Sequence, residues 1–191
     1  MSTLITGQQW IPLGYFQFYY EPDIRKAFAE GKTFALGAGG NTDNFAQQLL
    51  AHLCKTSGDE TSFKRVTIFN KGDKDGRVDA RFNLVNGFDS YPNRGVQMAA
   101  RCKDRICHLA QWGGGVCGSL IELQVMQILE EGPHEGAPTP QEAFVRSDKV
   151  LSLVRGASET WNADWLESEI IPMYKRLYPA KPAGVIYNEW E

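Results

Sequence analysis

The 191-residue sequence is short of several things, and each shortage removes a class of function. Positive charge is the first: 20 Lys and Arg against 23 Asp and Glu leave a net charge of −3. Neither nucleic acid nor an anionic membrane surface is therefore an expected partner. A small anion stays within reach, because unpaired backbone N–H groups bind one whatever the net charge. Cysteine is scarce. Cys54, Cys102, Cys107 and Cys117 form no C-x-x-C pair and stand at no zinc spacing from His52, His108 and His134. They read as buried reduced thiols, with no metal site expected, which favours the cytoplasm as the location. No run of 18 apolar residues occurs, so no membrane-spanning helix is expected. "MSTLITGQQW" lacks a charged n-region and a long apolar core, so no signal peptide is expected. There is no internal repeat, no low-complexity tract and no Walker pattern.

What is present suits a globular domain with a sizeable core: 42% of residues are hydrophobic and 23% charged. "STLITG" (2–7) is β-prone and ends in Gly7. "GYFQFYYEP" (14–22) is aromatic and compatible with strand or helix. "PDIRKAFAEG" (22–31) opens on Pro22, places Ile24, Ala27 and Phe28 on one face and stops at Gly31, as a helix does. "TFALGA" (33–38) is a continuous apolar run, expected of a strand covered on both faces. "DNFAQQLLAHLC" (43–54) puts Phe45, Leu49, Leu50 and Leu53 at helical spacing, with Asp43 or Thr42 as N-cap.

Further strands are read at Val66–Phe69 and in "RICHLAQWGGG" (105–115), with a helix between them over 93–104 and another over 118–132. Residues 71–93 are polar, glycine-containing and without period, and read as a long loop. Strand and helix thus alternate, which predicts an α/β fold: a doubly wound parallel sheet with helices on both faces over residues 1–132. "GPHEGAPTP" (132–140) marks a boundary, and residues 133–191 read as a helical extension packed on that domain.

Two glycine turns carry the functional reading. In open parallel sheets ligands bind at the carboxyl ends of the strands, and both turns are predicted there. The first, "GAGGN" (Gly37, Ala38, Gly39, Gly40, Asn41), lets backbone approach a ligand and precedes a helix N-terminus, whose free N–H groups suit an oxyanion. It is not G-x-G-x-x-G, since Asn44 or Phe45 falls where the third glycine is needed. A tight turn with a helix cap explains the same residues without a ligand. The second, "WGGGVCGSLIE" (112–122), holds Gly113, Gly114, Gly115, Gly118, Ser119 and Glu122. Ser119 and Glu122 stand at capping-box spacing. Alternatively Glu122 faces the cleft, where a carboxylate binds a ribose hydroxyl or stabilises an oxocarbenium ion. Between the turns lies "NRGVQMAARCKDRI" (93–106), in which Arg94 and Met98 share a helix face. Arg94 is either solvated or the fork that holds a phosphate.

Five stretches in order, "ITGQQW", "LGAGGNTDNFAQQLL", "VTIFNKGD", "RGVQM" and "GGGVCGSLIE", resemble motifs of the SLOG superfamily. That superfamily joins the Rossmann-like domain of DNA-processing protein A to the Lonely Guy phosphoribohydrolases. The likeness covers roughly residues 4–130 and is greatest to a branch of small bacterial proteins. It implies a Rossmann-like domain binding a nucleotide or nucleotide derivative between the two turns, with no cofactor. Thr6, Gly7, Gly37, Gly39, Gly40, Asn41, Thr42, Asp43, Gly113, Gly114, Gly115, Gly118 and Ser119 would line the ligand. In the Lonely Guy family an Arg and a Glu form the catalytic pair, and these map to Arg94 and Glu122. Here Trp112 replaces a proline, Ser119 a threonine, and Gly95 the lysine after the arginine.

Three readings follow. The chain binds a nucleotide without chemistry. Or it is an N-glycosidic hydrolase that releases a base from a nucleoside 5′-monophosphate, Arg94 and the Gly37–Asn41 amides holding the phosphate; a deoxyribosyltransferase-like nucleosidase is a variant. Or it is a structural subunit acting through its C-terminal helices. The resemblance also allows a homodimer.

Overall fold

The structure, a computed structural model, describes residues 2–72 and 75–108 together with Ser119, Glu122, Leu123, Val125 and Met126. Ten elements follow one another. They are β1 (Ser2–Ile5), α1 (Leu13–Tyr19), α2 (Glu21–Ala29), β2 (Thr33–Gly37), α3 (Asn41–Thr56), a 3-10 helix (Glu60–Arg65), β3 (Val66–Lys71), β4 (Asn83–Phe88), α4 (Tyr91–Ala99) and β5 (Cys102–Ile106). The five strands form one sheet in the order β4-β3-β2-β1-β5, every pair parallel. This is an α/β, Rossmann-like arrangement.

The pleat sorts the apolar runs to two faces, as its two-residue period requires. Ile5, Phe34, Leu36, Val66 and Ile68 face one core, closed by Phe16 and Tyr20 from the first helical segment, Ile24 of α2 and Leu49 and Leu50 of α3. Leu4, Ala35 and Phe69 face the other, with Val96, Met98 and Ala99 of α4 and with Val125 and Met126. A strand buried on both faces has no polar side to show, hence the unbroken "TFALG" of β2.

The ambiguous aromatic stretch is helical. Phe16 and Tyr20 stand four residues apart and stack with ring centroids at 5.3 Å, a pairing that an α-helix provides and a strand does not. Gly31, at φ +77°, ends the α2 segment as expected.

Three expectations need correction. The expected loop over 71–93 contains β4, which pairs with β3 through Thr67↔Asn83 to Lys71↔Phe88. It is an edge strand with no fully buried residue, so "NLVNGF" shows no apolar run. The helix expected over 93–104 runs Tyr91–Ala99, started by Ser90, whose Oγ accepts from the Asn93 N–H. β5 accordingly lies at Cys102–Ile106, earlier than the expected 105–115. The helix expected over 118–132 and the extension expected over 133–191 lie, apart from the five residues named, outside the described residues.

The strand order reverses at β1. The chain builds β2, β3 and β4 outward on one side, then crosses to lay β5 on the other. Such a reversal opens a crevice at the carboxyl ends of the flanking strands. Tyr20 pins its floor. Its hydroxyl accepts from the His108 N–H at 2.9 Å and faces the carbonyl oxygens of His108 at 2.8 Å and Thr6 at 3.1 Å, joining the ends of β1 and β5.

Candidate functional site

The first glycine turn follows β2 directly and is organised by its own side chains. α3 begins at Asn41 with Gly40 as N-cap and no side-chain cap, so neither Thr42 nor Asp43 takes the expected capping role. Thr42 instead donates to the Gln8 carbonyl at 2.7 Å, and the Asn41 N–H donates to the Gln9 carbonyl at 2.8 Å. Both bonds tie the segment after β1 onto the start of α3. Gly7 is needed there because a Cβ would run into the Tyr20 hydroxyl and lie 2.8 Å from Thr42 Cγ2.

Asp43 turns back over the glycines. Its Oδ2 accepts from the Gly39 N–H at 2.9 Å. The amide expected to hold a ligand's oxyanion therefore holds a carboxylate of the chain itself. A Cβ on Gly37 would lie 2.5 Å from Asp43 Oδ2 and 2.9 Å from Arg94 Nη1. The carboxylate and the guanidinium thus converge on the bare backbone at the end of β2, and a side chain at position 37 would exclude both.

Glu122 approaches the same part of α4, beside Gly95. It is 4% exposed and rests on α4 where Gly95 leaves room: a Cβ at 95 would lie 2.8 Å from Glu122 Oε1 and 3.1 Å from its Cγ. Burial pushes the Glu122 carboxyl up to about 7, against the pull of the Arg94 charge and the Thr6 hydroxyl and with the help of the Asp43 charge. Burial also raises Asp43, opposed by Arg94 and by the N–H groups of Gly39, Gly37 and Gly40. Among the described residues Arg94 Nε and Glu122 Oε2 are buried without a hydrogen-bond partner. Buried polar atoms are nearly always paired, so an orphaned donor and an orphaned acceptor in one neighbourhood call for an explanation.

Ser119 serves the crevice floor. Its Oγ lies 2.9 Å from Thr6 Oγ1 and donates to the Gly7 carbonyl at 3.0 Å, fastening the segment before Glu122 to the end of β1. Sequence reasoning therefore placed Thr6, Gly7, Gly37, Gly39, Asp43, Arg94, Ser119 and Glu122 in one neighbourhood, and the fold brings them together. Gly40 and Asn41 line an adjoining cavity with Gly39. Gly113, Gly114, Gly115 and Gly118 lie outside the described residues.

Two contributors were overlooked. Tyr20 is one. The other is Gln47, whose Nε2 donates to the carbonyls of Gly37 at 3.1 Å and Gly76 at 3.3 Å while its Oε1 accepts from the Val78 N–H at 2.8 Å. Gln47 sits between the buried Ala46 and Leu49 on α3, and a carboxamide on the apolar face was the signal available in the sequence.

Among the described residues no group of three or more His, Cys, Asp or Glu side chains could hold a metal ion. Cys54, Cys102 and Cys107 are buried and form no disulfide among the described residues, and burial together with the Glu122 charge pushes Cys102 up to about 12. No helix of the described residues is long and apolar enough to cross a membrane. No family model, no curated protein and no solved structure matches this chain.

Proposed function

We propose that the chain binds a nucleotide or nucleotide derivative of the kind the SLOG resemblance implies, in the crevice at the carboxyl ends of β1 and β2. The observation that carries this reading is the convergence of Arg94, Asp43 and Glu122 on Gly37 and Gly95, with Arg94 Nε and Glu122 Oε2 left without partners among the described residues. A guanidinium between two carboxylates can meet both halves of a ribosyl phosphate. Arg94 donates to an anionic oxygen, while the carboxylates accept from sugar hydroxyls. Thermal shift with a panel of nucleoside mono- and diphosphates tests the reading. A saturable rise in melting temperature with at least one of them, abolished in Arg94→Ala, is expected. No shift with any nucleotide refutes it.

A hydrolytic reading is favoured by one observation, the Glu122 carboxyl held at about 7. An acid near the working pH is suited to proton transfer. In that reaction water adds across the glycosidic bond of a nucleoside 5′-monophosphate. Its oxygen goes to the anomeric carbon with one proton as the new hydroxyl, and Glu122 takes the other proton and passes it to the departing base, giving free base and ribose 5-phosphate. Chromatographic detection of base release, wild type against Glu122→Gln, decides it. Release lost in the variant supports hydrolysis, and binding without release in the wild type leaves a binding protein.

A further inference from the structure

Next to the carboxylate cluster lies a cavity of about 270 Å³ with a different character. Gly39 is the shared wall. The place of its missing Cβ is 3.6 Å from Arg94 Nη1 and 3.8 Å from Asp43 Oδ2, and the same residue lines the cavity. Among the described residues no charged side chain lines it. The polar groups are the carboxamides of Gln9, Asn41, Asn44 and Gln47, and the indole of Trp10 stands at the rim, 71% exposed.

These carboxamides are not equivalent. Gln47 is committed to Gly37, Gly76 and Val78, and Asn41 Nδ2 donates to the Ile11 carbonyl at 3.4 Å. The side chains of Gln9 and Asn44 make no hydrogen bond among the described residues. The cavity therefore offers two uncommitted amides beside an exposed aromatic face, one residue away from a site with sugar- and phosphate-binding chemistry.

We infer that this cavity is the subsite for the base of the bound nucleotide, stacked on Trp10 and read at its edge by Gln9 and Asn44; the inference rests on the nucleotide reading above. Its volume falls just below the roughly 300–1,000 Å³ of sites that enclose a whole ligand, and so matches a planar ring and not a complete nucleotide. An indole stacks any base through its π-face. A carboxamide presents a donor and an acceptor side by side, the pair that adenine shows at its amino group and N7, whereas guanine shows two acceptors there and calls for Arg or Lys. An adenine nucleotide is therefore a suitable probe.

Calorimetric titration of wild type, Trp10→Ala and Trp10→Phe with adenosine 5′-monophosphate and with ribose 5-phosphate tests the assignment. Trp10→Ala is expected to weaken the nucleotide about tenfold or more, within the roughly 5- to 150-fold range for loss of one stacked base. Trp10→Phe restores most of that affinity, and the melting temperature is unchanged because the indole is exposed. Ribose 5-phosphate, lacking the base, is not weakened by either change. Equal nucleotide affinity in Trp10→Ala and wild type, or a parallel fall for ribose 5-phosphate, overturns the base subsite while the nucleotide reading stands. Failure of the wild type to bind adenosine 5′-monophosphate overturns the base subsite, and failure with every nucleotide of the panel overturns the nucleotide reading as well.

Discussion

Replacing Glu122 by Gln should make the protein more stable, by an amount that grows between about pH 4.5 and 7 and is complete above neutral pH. In the folded chain Glu122 titrates at about 7, against an ordinary 4.5. Between those values the folded state keeps a proton that the unfolded chain has released. Stability therefore falls as pH rises through the window, and the loss is complete once the buried carboxyl is ionised. At about 1.36 kcal/mol per pH unit the full loss is about 3 kcal/mol. Gln has nearly the same shape and no charge at any pH, so the variant loses this slope. For a chain of this size about 3 kcal/mol corresponds to a melting temperature about 6–12 °C above wild type near pH 8, and to no difference near pH 4. Urea unfolding at four pH values between these limits reads it directly. Parallel pH profiles for the two proteins would refute the reasoning, because they would mean that Glu122 ionises as freely in the folded chain as in the unfolded one. A gain in stability accompanied by loss of nucleotide binding is the pattern expected of a group kept for its chemistry.

Other consequences are equally direct. Gly95→Ala would ordinarily stabilise a helix by about 0.5–1 kcal/mol; here the new Cβ meets Glu122 Oε1, so urea melts should show no gain and nucleotide affinity should fall several-fold. Tyr20→Phe leaves the half-buried His108 N–H without its hydroxyl acceptor and should cost about 1–3 kcal/mol in denaturant unfolding. Gln47→Leu releases the Val78 N–H, whose hydrogen exchange should accelerate at least tenfold while exchange in β1 stays protected.

The elements that declared themselves in the sequence were those whose burial is complete and regular. β2 is apolar at nearly every position because both its faces are covered, and α3 keeps an apolar stripe because one side packs on the sheet. β4 was hidden because an edge strand has no such obligation; its Asn and Gly residues look like loop until the register with β3 is known. The site was legible as a set of residues, since glycines, Arg94 and Glu122 are conspicuous in short motifs. Their roles were less so. Local spacing suggested that Asp43 and Ser119 cap helices, whereas each instead bonds outside its own helix: Asp43 to the glycine turn before it, Ser119 to the end of β1. Which partner a short polar side chain chooses depends on what the tertiary fold places nearby, and i to i+3 spacing carries no record of that.

The seat of Asp43 in the first glycine turn makes ligand capture an exchange. The Gly39 N–H already holds an anion, so an incoming phosphate that uses this amide must displace a carboxylate tethered four residues away in the same chain. The competition is weighted by acidity: lowering the pH neutralises Asp43 and frees the amide, while the incoming charge itself raises the proton affinity of the carboxyls around it. Capture of a phosphate at Gly39 would then draw protons from solution. The heat of binding would vary with the ionisation enthalpy of the buffer, and the turn would work as a proton-coupled latch whose resting occupant is the protein itself.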